Sequence, residues 1–108
     1  MTVSDLVNHG FESLSLPDPA REINGVYIGD LLSWVMGNAS ADNAWITIMT
    51  NINVIAVAVL TDAACVIIAE GAEPDEQVLA QAGQKGVNVL RSLSPAYETA
   101  VRLHSLLS

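Results

Sequence analysis

Arg21, Asn24, Gly25, Gly29 and Asp30 fall within one short stretch, and Thr50, Asn51 and Asn53 follow as a second cluster. The chemistry these residues suit is anion binding. A guanidinium presents paired donors to a phosphate or carboxylate, glycines admit close backbone approach, and a helix opening at Asp30 adds oriented N–H groups. Thr50, Asn51 and Asn53 lie between an expected strand and an expected helix, where a parallel sheet opens its crevice. Each residue also has a structural reading. Arg21 is the only cation among the first 84 residues, and one arginine without a lysine makes a weak anion site. Pairing with Asp18, Glu22 or Asp30 to fix its loop is therefore the weightier role. Gly25 and Gly29 are spaced too loosely for a dinucleotide fingerprint and read as turn glycines. Thr50, Asn51 and Asn53 are capping residues before they are ligand contacts.

No other group assembles into a catalytic constellation. His9 and His104 lack neighbours at metal-ligand spacing, so no metal site and no cofactor are expected. Asp30, Asp62 and Asp75 are accounted for by helix starts and turns. Ser33 has no adjacent histidine and no nucleophile elbow. Cys65, the only cysteine, sits at the edge of an apolar run and reads as a buried, unreactive thiol. No phosphate loop of the Gly-x-x-x-x-Gly-Lys-Ser/Thr type occurs. The chain is read as not an enzyme.

Composition narrows the class further. Apolar residues make up 51% of the 108 and charged residues only 15%, against roughly 25% charged in an ordinary soluble domain. So few charges leave part of the surface to be covered by contact, and a homodimer is the simplest cover. Trp34, Trp45, Val54 and Val57 are the interface candidates, the tryptophans because large aromatics anchor interfaces and the valines because they lie on a helix that is apolar all round. Core packing is the competing role for the tryptophans. A formal charge of −8 argues against nucleic acid and anionic membranes as partners. The longest clean apolar run, Val54 to Leu60, is too short to span a bilayer. The N-terminus lacks the pattern of a signal peptide, so a cytoplasmic location is expected.

The elements that must position these residues follow from periodicity and punctuation. A first helix carries Val3, Leu6 and Val7, and Phe11 to Leu16 alternates as a strand. Arg21 to Ile28 is a second extended segment. Asp30 is expected to cap a helix with the stripe Leu31, Leu32, Val35 and Met36. Ala44 to Met49 reads as a strand, Asn53 as the cap of a helix over Val54 to Thr61, and Cys65 to Ala69 as a central strand. The β-branched content of Val54 to Thr61 makes a strand its competing assignment. Pro74 is expected at the first position of the next helix, which Lys85-Gly86 closes. Val87 to Leu90 is a final strand, and a helix from Ser94-Pro95 carries Ala96, Ala100, Leu103 and Leu107. Alternation from Ala44 onward implies an α/β fold, a three-layer α/β/α sandwich with a mainly parallel central sheet. The chain is expected to form one domain over residues 1–108 and to be complete as it stands.

The run from Gly25 to Ser33, with Trp45 to Ile48, Asn53 to Ala58 and Gly71 to Asp75, resembles a stand-alone DRTGG-domain protein. That family is similar to the N-terminal domain of HPr kinase/phosphorylase. Ala20-Arg21 stands where the family has Asp-Arg, and Asn24-Gly25-Val26 where it has Thr-Gly-Gly; only Arg21 and Gly25 keep the residue types. The resemblance implies a non-catalytic regulatory or interaction module, docking on a larger enzyme or redox complex, with a link to anaerobic hydrogenase systems. The alternative is a small-molecule sensor that binds a nucleotide or other anion.

Overall fold

The computed structural model describes residues 1–108. Its elements in chain order are α1 (Val3–Val7), β1 (Glu12–Ser15), β2 (Val26–Ile28), α2 (Leu32–Asn38), β3 (Ala44–Thr47), α3 (Asn53–Thr61), β4 (Cys65–Ile68), α4 (Glu76–Lys85), β5 (Val89–Arg91) and α5 (Ala96–Leu107). The five strands form one sheet in the order β1-β5-β4-β3-β2. Strands β2 to β5 are parallel, and β1 joins the β5 edge antiparallel, with its register shifted between Ser13 and Ser15.

Alternation along the strands sorts the core into two layers. Ala44, Ile46, Cys65, Ile67 and Leu90 face α1 and α5, where Val3, Leu6, Phe11 and Leu103 complete the packing. Trp45, Val66, Ile68 and Val89 face the other way, against Val35 of α2, Val54, Ile55, Val57 and Ala58 of α3, and Val78 and Ala82 of α4. The three-layer reading therefore stands. Successive parallel strands advance in one direction across the sheet, so all three crossover helices lie on one face and the strand order has no reversal among them.

Local signals explain the ends of most elements. The Thr2 backbone N–H donates to the Asp5 carboxylate at 2.9 Å, and this bond holds the Asp5 carboxyl below its ordinary range. Helix α4 starts at the Asp75 cap, whose Oδ1 accepts from the Val78 N–H at 3.1 Å, and stops at Gly86 in the left-handed conformation. Pro74 thus precedes the cap instead of opening the helix. The extended segment before β2 pairs only through an isolated bridge between Thr2 and Glu22.

Two expectations about helices are corrected. Helix α2 buries Val35 and packs a half-buried Leu32 beside it, whereas Leu31 and Met36 are exposed, so only half of the anticipated four-residue stripe faces the core. Asp30 does not cap α2, whose N-cap is Leu31. The Asp30 carboxylate instead turns to the end of β3, accepting from the Thr47 hydroxyl at 2.8 Å and the Ile48 N–H at 2.9 Å. The Val54 to Thr61 segment is a helix, but the domain covers only one of its sides.

Candidate functional site

Arg21 lies in the loop before β2, at the end of the sheet where the parallel strands begin. Its Nε and Nη2 donate to Asp42 Oδ1 at 3.0 and 2.8 Å, and Nη2 also reaches the Asp62 carbonyl at 2.8 Å and Oδ1 at 2.9 Å. Asp42 leads into β3 and Asp62 ends α3 just ahead of β4, both with left-handed backbone, φ 65° and 57°. Arg21 therefore clamps the entrances of two central strands. Its partners are Asp42 and Asp62 rather than Asp18, Glu22 or Asp30. Burial works against the guanidinium charge, yet the bonds to Asp42 and then Asp62 outweigh it and raise its pKa. Gly25 sits beside this clamp at φ 137°, where a Cβ would stand 2.9 Å from Asn43 Nδ2. The Asn24 N–H donates to the Asp42 carbonyl at 2.9 Å.

Gly29, Asp30, Thr50, Asn51 and Asn53 gather at the opposite end, where the strands finish. The Gly29 carbonyl accepts from Trp45 Nε1 at 2.8 Å. Asn51 Oδ1 accepts from the Asn53 N–H at 2.9 Å, which makes Asn51 the side chain that starts α3 and leaves Asn53 as its first residue. At about 3.3 Å per extended residue, the step from Gly25 to Asp30 covers about 16 Å. Arg21 and the Thr50–Asn53 turn thus do not form one pocket, and the anticipated ligand set divides between two ends of the sheet.

The interface candidates divide as well. Trp34 is 65% exposed on α2. Trp45, Val54 and Val57 are buried in the domain's own core and present no surface to a partner. Trp45 is held there because its ring fills the layer under α2 and α3 while its N–H has the Gly29 carbonyl.

Sequence reasoning missed three polar fixtures. Asn88, almost fully buried, donates to the Asp18 and Ala64 carbonyls at 2.8 and 2.9 Å and accepts from the Asp18 N–H at 2.9 Å. Ser92 and Thr99 share a buried hydroxyl contact at 2.7 Å, and Arg102 Nη2 reaches Ser92 at 3.3 Å while its guanidinium lies 4.5 Å from the Phe11 ring centre. Arg91 is held between Glu12 and Glu73, chiefly the latter, and these bonds raise its pKa. The Ser94-Pro95 helix start was the one available signal, since it places Thr99 one turn inside α5.

Chemically, this leaves little for a nucleophile or a phosphate. Burial pushes the Cys65 thiol up to about 12, against a small opposing pull from Arg21. Arg21 and Arg91 are each held by two carboxylates, whereas Arg102 reaches only the Ser92 hydroxyl and its buried Nε has no hydrogen-bond partner. No group of three His, Cys, Asp or Glu side chains gathers as metal ligands. An open groove of about 860 Å³ runs beside β2, lined by Met1, Asn24, Gly25, Ile28, His104 and Leu107 among others. Polar and apolar groups share its walls about equally, and Arg21 is not among them. No helix is long and apolar enough to cross a membrane.

No curated protein matches this chain. The crystal structure of the CBS and DRTGG domains of the regulatory region of Clostridium perfringens pyrophosphatase, complexed with the activator diadenosine tetraphosphate, is similar in fold. The TM-score is 0.69 at 15% sequence identity, over 93% of this chain and 44% of that one. This chain therefore spans less than half of that structure's length. The family model for the DRTGG domain matches residues 20–106. With nearly the whole sheet and all helices but the first inside that match, the chain belongs to the DRTGG-domain family.

Proposed function

We propose that this protein is a non-catalytic regulatory module that works by protein contact, as a homodimer and through a larger enzyme or redox complex. The observation that carries this reading is the disposition of its charge. Arg21 and Arg91 are each paired with two carboxylates and Arg102 is half-buried against Phe11 and Ser92, whereas Leu31, Trp34, Leu60, Leu93 and Tyr97 are each more than half exposed. Binding a phosphate at Arg21 or Arg91 requires breaking an ion pair that organises the loops; covering exposed apolar side chains requires nothing to be broken. Domains of this family occur in the regulatory region of a pyrophosphatase, which fits a part that modulates a neighbour. The link to anaerobic redox enzymes belongs to the same proposal and rests on the resemblance alone. The test is light scattering of the purified chain across micromolar concentrations. A dimer supports the reading, and a strict monomer at every concentration overturns its homodimeric half.

A second reading, a nucleotide sensor, is favoured by one fact: the structurally similar regulatory region was crystallised with diadenosine tetraphosphate. Calorimetric titration of this chain with that nucleotide and with ATP tests it. Saturable heat that Arg21→Met abolishes supports a site at the clamp, and the absence of heat at millimolar nucleotide removes the reading.

A further inference from the structure

The charge missing from the composition is missing mainly from one face. Helices α2, α3 and α4 together carry one carboxylate, Glu76, and one ammonium, Lys85. Helix α3 is the middle of this layer and packs on both neighbours. Its inward residues Val54, Ile55, Val57 and Ala58 are buried, while Ile52, Ala56, Val59 and Leu60 form an outward stripe at helical spacing. Leu60 is 69% exposed and Ile52 46%. Between α3 and α4 runs a groove of about 400 Å³, lined by Ile52, Ala56, Val59, Leu60, Gln81 and Lys85.

We infer that this stripe is a two-fold interface, with α3 of each copy crossing its mate near-antiparallel at Ala56; the inference rests on the homodimer reading above. The stripe is self-complementary about its smallest residue. Ile52 and Leu60 stand equally far from Ala56 along the helix, so a two-fold axis through Ala56 sets each Leu60 against the partner's Ile52. Leu60 projects and the groove beside Ile52 receives it, once from each side. An alanine at the crossing lets the helix axes approach to about 9–10 Å, within the usual range.

Charge favours a second copy as the occupant. Each copy carries −8 overall, but α3 has no ionisable side chain and the groove beside it is lined by Lys85 and no carboxylate, so the contact buries no pair of acidic groups. Nucleic acid and anionic lipid are repelled by the same net charge. Area sets the extent. A standard interface covers roughly 800 Å² of each partner, on a molecule with 5429 Å² of surface and extents of 31 × 26 × 24 Å. One whole face is therefore needed, and it takes in Leu31 and Trp34 of the adjoining α2.

The experiment compares the full chain with Leu60→Glu, Ala56→Cys and, as a control on a different surface, Leu93→Glu. Sedimentation should give twice the 11.4 kDa chain mass for the parent and for Leu93→Glu, and a dimer weakened about 100-fold or more for Leu60→Glu. Ala56→Cys should form an intermolecular disulfide on mild oxidation, because a crossing at this position with axes about 9–10 Å apart sets the two Cα atoms about 4.4–5.4 Å from each other, within the span of a disulfide. Cys65 is buried and stays silent. A parent dimer that survives Leu60→Glu and fails to cross-link overturns this interface while leaving the homodimer reading intact; a monomeric parent overturns both. Circular dichroism checks that Leu60→Glu folds, and the cysteine cross-link stands independently if it does not.

Discussion

Arg21→Met isolates the clamp at the strand entrances. Methionine keeps an apolar stem of similar length and removes the guanidinium. Four hydrogen bonds go with it, two to Asp42 and two to Asp62. A buried bond to a charged group contributes about 1.5–3 kcal/mol, but Asp42 and Asp62 are 45% and 68% exposed against 23% for Arg21. Solvent screening cuts each ion pair to about 0.5–1 kcal/mol. The Asp62 carbonyl loses a donor as well, at about 1 kcal/mol. The sum is about 2–3 kcal/mol, or a fall in Tm on the order of 10–20 °C for a domain of this length. Urea denaturation at low salt measures it, and the deficit should shrink in 1 M salt as the surviving parent pairs are screened. A variant within about 0.5 kcal/mol of the parent, the range of an ordinary surface change, would refute the clamp.

Three further outcomes follow from the same geometry. Cys65 should resist thiol reagents at pH 8 in the folded protein and react at once in denaturant. Because its folded pKa is raised from 9.0 to about 12, the thiol contributes stability in full below pH 9 and loses it as pH climbs toward 12. A gap of about three pH units is worth roughly 4 kcal/mol, so Cys65→Ala should flatten the alkaline limb of the stability curve, and an unchanged limb would count against its burial. Asp30→Ala should cost about 1–2 kcal/mol by orphaning the Thr47 hydroxyl and the Ile48 N–H, with helix content unchanged by circular dichroism; loss of a helical turn would mean that Asp30 caps α2 after all. Trp45→Ala should cost about 3–5 kcal/mol from the core and Trp34→Ala about 0.5 kcal/mol or less, and similar losses for both would contradict their placement.

What the amino-acid sequence made legible was whatever depends on near neighbours in the chain. Cys65 to Ala69 reads as a central strand because apolar side chains on both faces have only one comfortable home in an α/β sheet. Helix α4 announces its end through Lys85-Gly86, while the start expected at Pro74 falls two residues later, after the Asp75 cap. Which side of α3 faces the sheet does not follow from period, because Val54 to Leu60 is apolar all round, and nothing in it says that one side is left bare. Arg21 shows the larger limit. Its acidic neighbours Asp18, Glu22 and Asp30 were the natural partners by proximity, yet Asp42 and Asp62 reach it only after β3 and β4 are set side by side. Asp30 was misread for a related reason. An aspartate before a helix has a local use as a cap, and here the end of β3, contributed by Thr47 and Ile48, offers two donors that only the parallel pairing supplies. Asn88 gave no periodic signal at all, because its worth lies in the Asp18 loop 70 residues away.

The division of the anticipated site between two ends of the sheet bears directly on which reading of function is physical. In doubly wound sheets, ligands collect where the strand order reverses and two loops diverge to leave a crevice. Here β2, β3, β4 and β5 follow one another without reversal, so neighbouring loops at the strand ends stay closed on each other: the Ala69 N–H donates to the Thr47 carbonyl at 2.9 Å and the Gly71 N–H to the Ser92 carbonyl at 2.8 Å. That finishing end carries Asp30, Glu70, Glu73 and Asp75 with Arg91 already held, and its field opposes an incoming phosphate. The starting end is closed by Arg21. With both ends of the sheet tied off by internal bonds, the surfaces left to act are lateral, and the one with the fewest charges to desolvate is the α2–α3–α4 face. Contact there leaves the ends of the sheet free, so a partner bound at that face and a small molecule bound elsewhere on the same domain would not compete.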